Sequence, residues 1–317
     1  MSACSVFVYD GDTPLDLTKA VIGLEWGDMK GELAARAVLR MNARMGGAEL
    51  AEYARLNAPI SILAYGREVF SGVIWDYSLI DGRTVNMVCY DRLIFLSGSS
   101  DSAYFPAGLN TRRVLESICR RWDMPLKYDY TGCTHGRLSY RAQSVASQII
   151  STLDAAQAVC GDKYMLRMEG GTLHVGLRGA GKPVCDVSRA RLISYTHRRD
   201  MSGLVTRVAI TTGSSGPVRV REVFDGDTSL GILQEVVDAS GATLSDARTQ
   251  ARRLLIERGT PVETIEVACQ DEPTLRRGDR VTISAGSLAG EYDVLGVMHD
   301  RLLSMQMELA RHTDGEG

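Results

Sequence analysis

Residues 176–184, GLRGAGKPV, carry a spacing with chemical meaning: Gly176, four residues, then Gly181 and Lys182, all following the strand-like TLHV. Glycines so placed let backbone N–H groups cradle phosphates while the lysine reaches the outer ones. A working loop of this kind follows its lysine with Ser or Thr for Mg²⁺, then with a helix whose N-terminus points at the phosphates. Here Pro183 takes the hydroxyl position, and VCDVSRARLISYTH has no helical face. The segment is expected to be a flexible connection, and no nucleotide or other cofactor is expected.

Other reactive groupings are equally sparse. The histidines His135, His174, His197, His299 and His312 form neither HxH nor HExxH. The seven cysteines (Cys4, Cys89, Cys119, Cys133, Cys160, Cys185, Cys269) never form CxxC, so neither a metal site nor a disulfide framework is expected. They read as small buried apolar side chains. Asp10 with Asp12, and Asp225 with Asp227, lack the distal acid of a calcium loop and read as turn residues. No GxSxG elbow marks a nucleophilic serine. Paired carboxylates for sugar hydrolysis stand far apart in a chain, and nothing in this one singles out a pair. The basic run HRRD (197–200) and the helix face Arg248, Arg252, Arg253 and Arg258 read as solvated surface, with an acidic partner as the alternative. No catalytic residue is expected.

The elements that would position any such groups are mostly strands. SVFVYD, ISILAY, EVFSGVIWDYSLI and TVNMVCYDRLIFL are rich in Val, Ile, Tyr and Phe and are broken by glycine turns. After residue 100 the pattern changes. Asn110 or Thr111 can cap a helix bearing Val114, Leu115, Ile118 and Trp122, which Pro125 stops. Ser144 precedes a second helix carrying Ile149, Ile150, Leu153, Ala156 and Val159, with Gly161 as its C-terminal cap. A hairpin follows, YMLRM turning at Glu169, Gly170 and Gly171 into TLHVGL. From residue 181 the chain returns to strands, with one helix that Ser245 can cap, with Ala247, Ala251, Leu254 and Leu255 on one face, ended by Gly259 and Pro261. The tail HTDGEG is expected to be disordered.

The sequence thus predicts a mainly β protein with an α/β insert: two related small β-barrel domains, 1–100 and 181–317, flanking an α/β middle domain, 101–180. Two echoes bear on this. VYDGDTPLDL (8–17) resembles VFDGDTSLGI (223–232), although the two sit differently among their strands. APISILAYGREVFSGVIWD (58–76) parallels DRVTISAGSLAGEYDVLGVMHD (279–300) as strand, glycine turn, glycine, strand, aspartate. Composition fits: 44% hydrophobic residues suffice for real cores, and a net charge of −3 gives no overall drive toward nucleic acid or an anionic membrane. No apolar run approaches the roughly 20 residues of a membrane span, and no signal peptide is visible, so the protein is expected to stay in the cytoplasm where it is made.

The stretch from Phe70 to Leu177 resembles the XkdQ/YqbQ-like family of phage tail proteins, related to late control protein D and to baseplate hub proteins. VFSGVIWDYS, VNMVCYDRLIFLSGS, FPAGLNTRRVLESICRRWDMP and SVASQIISTLDAAQAVCGDKYMLRMEGGTLHV follow the family's order. GILQEVVDAS, ATLSDARTQARRLLIERGTP, LRRGDRVTIS and GEYDVLGVMHD match its last domain. The resemblance implies a non-enzymatic baseplate hub at the tail tip of a phage or phage-like contractile particle. It implies a homotrimer with six quasi-equivalent β domains, meeting a hexameric tail tube protein, a trimeric spike protein, the tape measure protein and other baseplate proteins. Neither a membrane nor sequence-specific nucleic acid is an implied partner. In such an assembly Gly72, Tyr90, Asp91 and Gly290 would have structural roles. The alternative is a tail-associated peptidoglycan hydrolase.

Overall fold

The computed structural model describes residues 4–45, 48–50, 53–212, 219–241, 243–301 and 303–312. Nine strands form the first region: β1 (Cys4–Asp10), β2 (Thr13–Asp16), β3 (Val21–Asp28), β4 (Arg36–Asn42), β5 (Arg44–Met45), β6 (Ala48–Glu49), β7 (Pro59–Ala64), β8 (Arg67–Ile80) and β9 (Thr84–Tyr90). Alternation drives them. Cys4, Val6 and Val8 of β1, and Val85, Met87 and Cys89 of β9, point inward at period two while their neighbours face outward. With Trp26, Leu39, Ile62 and Ile74 they form one apolar cluster.

The middle region is α1 (Leu93–Gly98), β10 (Ser100–Phe105), α2 (Thr111–Arg121), β11 (Leu126–Asp129), β12 (Leu138–Ser144), α3 (Val145–Cys160), β13 (Tyr164–Glu169) and β14 (Thr172–Leu177). It buries its own cluster, in which Val114, Leu115 and Ile118 of α2 meet Ile149 and Leu153 of α3 and Leu173 and Val175 of β14. The caps are those the sequence suggests. Of the two candidates at α2, the Asn110 side chain accepts from Arg113 N–H; Ser144 accepts from Ser147 N–H; Gly161 ends α3 at φ +78°. Asn110→Ala or Ser144→Ala should each cost about 1 kcal/mol, read as a lowered urea midpoint with unchanged slope. Val159, expected on the apolar face of α3, is instead exposed, because the face that packs runs through Thr152, Leu153 and Ala156.

The last region is β15 (Cys185–Val187), β16 (Leu192–Asp200), β17 (Arg207–Thr212), β18 (Arg219–Asp225), β19 (Gln234–Asp238), α4 (Leu244–Arg258), β20 (Val262–Gln270), β21 (Arg280–Ile283), β22 (Gly290–Asp300) and β23 (Ser304–Arg311). The architecture is mainly β with an α/β insert, as expected. The two β regions run into one sheet, ordered β16-β20-β23-β22-β3-β4-β9-β8-β7-β1-β2, with β22 pairing antiparallel to β3 through Val297↔Asp28 to Asp300↔Glu25. This order closes no ring of strands among the described residues: where two small β-barrel domains were expected, the two β regions share a seam in one sheet.

Residues 196–265 form a second compact unit. In it α4 covers one face of a three-stranded sheet, β18-β17-β19, burying Val208, Ile210, Val237, Ala247 and Ala251. The cap of α4 is Thr243, whose Oγ1 accepts from Asp246 N–H; Ser245 already lies inside the helix. The basic groups here find acids within the same unit: Arg248 with Glu222, Arg258 with Glu235, Arg253 with Glu257, and His197 and Arg199 with Glu263.

Of the echoes, the first is two different structures. Residues 10–13 are the tight β1–β2 turn with Gly11 at φ +58°, whereas Asp225 ends β18 and leads into a loop. The second echo is structural, since β7–β8 and β21–β22 are both antiparallel hairpins whose second strand is long. The residues of the tail from 313 onward lie outside the described ones.

Candidate functional site

GLRGAGKP leads into strand β15 rather than a helix. It is pinned, not free: Gly179 N–H donates to Gly278 O at 2.8 Å, and the Arg280 guanidinium donates to Gly181 O. A Cβ on Gly179 would lie 2.2 Å from Asp293 Oδ1.

The densest polar chemistry instead surrounds the turn Leu275–Asp279, LRRGD. Arg276 grips Asp28 at the end of β3 with two bonds, Nε to Oδ2 at 2.5 Å and Nη2 to Oδ1 at 3.0 Å. Asp28 is 1% exposed. Burial alone would raise its pKa, but the Arg276 charge and hydrogen bonds, helped by Arg277, hold it down at about 2. Arg277 spends its guanidinium on backbone carbonyls: Met29 at 3.1 Å, Leu33 at 2.9 Å, Leu166 at 3.0 Å, and Glu32. Arg167 on β13 returns the contact, donating to Asp279 Oδ1 at 2.7 Å and Arg277 O at 3.0 Å. Gly278 sits at φ +88°, and a Cβ there would meet Met165 Cγ at 2.0 Å. One five-residue turn therefore ties the loop after β3, the β13–β14 hairpin and the β21–β22 region together. Arginine suits this because its planar fork satisfies several carbonyls at once without losing its charge.

Beside this knot lies a cleft of about 550 Å³, lined by residues including Val69–Gly72 of β8, Asp91, Phe95, Met168 and Arg276. Gly72 and Asp91 line it, and the Tyr90 carbonyl lies against Gly72. A Cβ on Gly72 would lie 2.2 Å from Tyr90 O, so only glycine permits that approach. Gly72→Ala should cost roughly 1–3 kcal/mol through forced separation of β8 from the end of β9, measured as a fall in melting temperature. Asp91 accepts from Ala35 N–H at 3.0 Å and Leu93 N–H at 2.9 Å, which turns the chain out of β9 into α1. Burial, opposed by those two bonds, raises its pKa to about 6. Trp75 packs edge-on against Tyr90 and Phe95. Gly290 stands elsewhere, opening β22 at φ +149° with Tyr292 and Arg311 nearest.

Both Asp91 oxygens are engaged by backbone donors, and no cluster of His, Cys, Asp and Glu suited to a metal occurs among the described residues. All seven cysteines are free, four of them buried.

The family model described as YQBQ-like matches residues 54–307. The chain belongs to the YQBQ-like family. No curated protein matches it in sequence. Among solved structures, the 43 kDa tail protein of prophage MuSo2 from Shewanella oneidensis aligns over 97% of this chain and 98% of its own, with a TM-score of 0.73 at 10% identity. The tail protein from Neisseria meningitidis MC58 aligns over 99% and 97%, with a TM-score of 0.69 at 14% identity. An E. coli protein described as a component of the type VI secretion system, structurally similar to the bacteriophage T4 tail proteins gp27 and gp5, aligns over 98% and 77%, with a TM-score of 0.60 at 10% identity. At these identities the likeness is one of fold, and the fold is that of phage tail proteins.

Of the residues singled out in the YQBQ-like sequence, Gly72, Tyr90 and Asp91 are neighbours, whereas Asp28, Arg276 and Arg277 were not foreseen. A signal was present: a pair of arginines between the apolar Leu275 and the turn Gly278–Asp279, with Asp28 closing the strand GLEWGD beyond its outward-facing Glu25. The glycine matching Gly72 in the second hairpin is Gly296, not Gly290. GVIWD (72–76) matches GVMHD (296–300), and a Cβ on Gly296 would lie 2.8 Å from Lys30 N.

Proposed function

We propose that this YQBQ-like chain is a structural baseplate hub protein of a phage or phage-like contractile tail, a contractile injection system. Three copies form a ring with pseudo-six-fold symmetry that joins a hexameric tail tube to a trimeric spike. The observation that carries this reading is the repeated hairpin, with Gly72 and Gly296 at matching positions of one sheet. Two similar β regions per chain give a trimer six similar surfaces for a hexameric neighbour and three for a trimeric one. Residues 1–100 and 181–317 are the two tube-facing β domains, and 101–180 is the α/β domain that meets other baseplate components. Gly72, Tyr90, Asp91 and Gly290 shape strand ends for assembly. The remaining partner is the tape measure protein, and the place of action is the tail tip after synthesis in the host cytoplasm.

The test is the mass of the purified chain by light scattering, alone and mixed with the neighbouring tail-tube and spike proteins. A trimer, or three copies in the complex, supports the hub. A monomer that ignores both proteins overturns it.

One observation favours a second reading, a peptidoglycan hydrolase: Asp91, with its pKa at about 6, lines a cleft that also holds Glu68. Against it, the oxygens of Asp91 are committed to Ala35 and Leu93. Muropeptide release from cell walls by the wild type that disappears in Asp91→Asn would reinstate the enzyme. No release by either is the expected result.

A further inference from the structure

The two hairpins differ in what lies along their long strands. Aligned on GVIWD and GVMHD, Val73 of β8 pairs with Tyr90 of β9, and Val297 of β22 pairs with Met307 of β23. Beyond that point β23 runs on, placing Leu309 beside Val294, Ala310 beside Asp293 and Arg311 beside Tyr292. β9 does not. Its chain turns away at Asp91 into α1, so Arg67–Gly72 of β8 are paired with β7 alone among the described residues. The space that β23 fills in one hairpin is the cleft in the other.

The backbone there is oriented for pairing. Ile74 N–H donates to Ala58 O, and Ile74 O accepts from Asn57 N–H, so Ile74 faces the β7 side. Strand alternation then directs the N–H and C=O of Ser71, three residues back, into the cleft. Pro59, which has no N–H, sits opposite Val73, as a non-hydrogen-bonded pair allows. Val69, Phe70, Phe95 and Met168 supply apolar walls.

The same chain carries a strand with one edge unpaired among the described residues. β16 ends the sheet, no described strand pairs along its outer edge, and Ile193 and Tyr195 are 66% and 46% exposed. An exposed edge of that kind is a template for another chain. An open acceptor edge and an open donor edge on one molecule make a head-to-tail contact, which closes into a ring when the rotation permits.

We propose that the cleft beside Arg67–Gly72 receives β16 of a second copy as an added antiparallel strand. This rests on the hub reading and names the edges that build its ring. Ser71→Pro removes the cleft-facing donor while sparing the bonds to β7, and Ile193→Lys places a charge on the donor edge. Light scattering at the highest soluble concentration should give a threefold mass for the wild type and single copies for each variant, both with wild-type circular dichroism. Mixing the two variants should restore a two-copy species, because each keeps one intact edge. Association indifferent to Ser71→Pro, with tube or spike binding retained, overturns the strand exchange and leaves the hub standing. A wild type that is monomeric and binds neither protein overturns both. Should Ser71→Pro fail to fold, Ile193→Lys alone decides: unchanged mass rejects the proposal, and loss of association supports it.

Discussion

Arg276→Ala is expected to destabilise the protein by about 3–5 kcal/mol at neutral pH, because it strands the Asp28 carboxylate, 1% exposed, without its counter-charge. The loss should read as a lowered urea midpoint. Asp28→Ala in the Arg276→Ala background should recover part of it, since removing both partners leaves no unpaired buried carboxylate. A single variant as stable as wild type would show that water reaches Asp28 and would end the account of the knot given above. The effect should also spread. Leu166, Met29 and Leu33 are held by the adjacent Arg277, so hydrogen exchange should accelerate in β13 and in the loop after β3 together.

The two buried acids near this turn pull the pH profile in opposite directions. Asp28 is depressed from 3.8 to about 2, so its stabilisation is present above pH 3.8 and is lost as pH falls toward 2. Asp91 is raised from 3.8 to about 6, so the folded state holds its proton more tightly. Its contribution therefore improves as pH falls from about 6 to 3.8, by roughly 3 kcal/mol at most. Together they favour a stability maximum on the acid side of neutrality. In Asp91→Asn the rise below pH 6 should flatten while the fall below pH 4 persists.

What could be foreseen follows from which forces are local. Strand alternation in β1 and β9, the Asn110 and Ser144 caps and the Gly161 terminus are set by residues within a turn or a strand, and each reads directly. The second hairpin echo was visible because each long strand carries a glycine that the backbone of another segment approaches, Tyr90 at Gly72 and Lys30 at Gly296. The α4 cap was misplaced because Thr243 and Ser245 are equally good acceptors, and only the register of the apolar face against β17 chooses between them. The knot was hidden for a different reason. Arg276 and Asp28 are 248 residues apart, and an arginine satisfying carbonyls looks in sequence like any surface arginine. The joining of the two β regions across β22 and β3 was likewise a long-range pairing with no local mark.

That seam carries the second large effect. His299 on β22 lies opposite Trp26 on β3, stacked on it at 5.2 Å between centroids, and its side chain is 0% exposed. Its Nε2 faces the Leu275 carbonyl at 2.9 Å, which can only accept, so that nitrogen carries a proton. Its Nδ1 hydrogen-bonds Asp271 Oδ1 at 2.6 Å. His299→Ala removes both bonds, leaves Asp271 buried without its partner and opens a cavity under Trp26. The expected cost is about 3–5 kcal/mol. Asp271→Ala combined with it should cost clearly less than the two single changes summed, because the stranded carboxyl is gone. Strict additivity in that cycle would mean the pair is not coupled and would contradict this view of the seam. Because Met298 pairs with Gly27 across the same strands, His299→Ala should also speed amide exchange there more than in β7 or β8, separating loss of the seam from general loosening of the sheet.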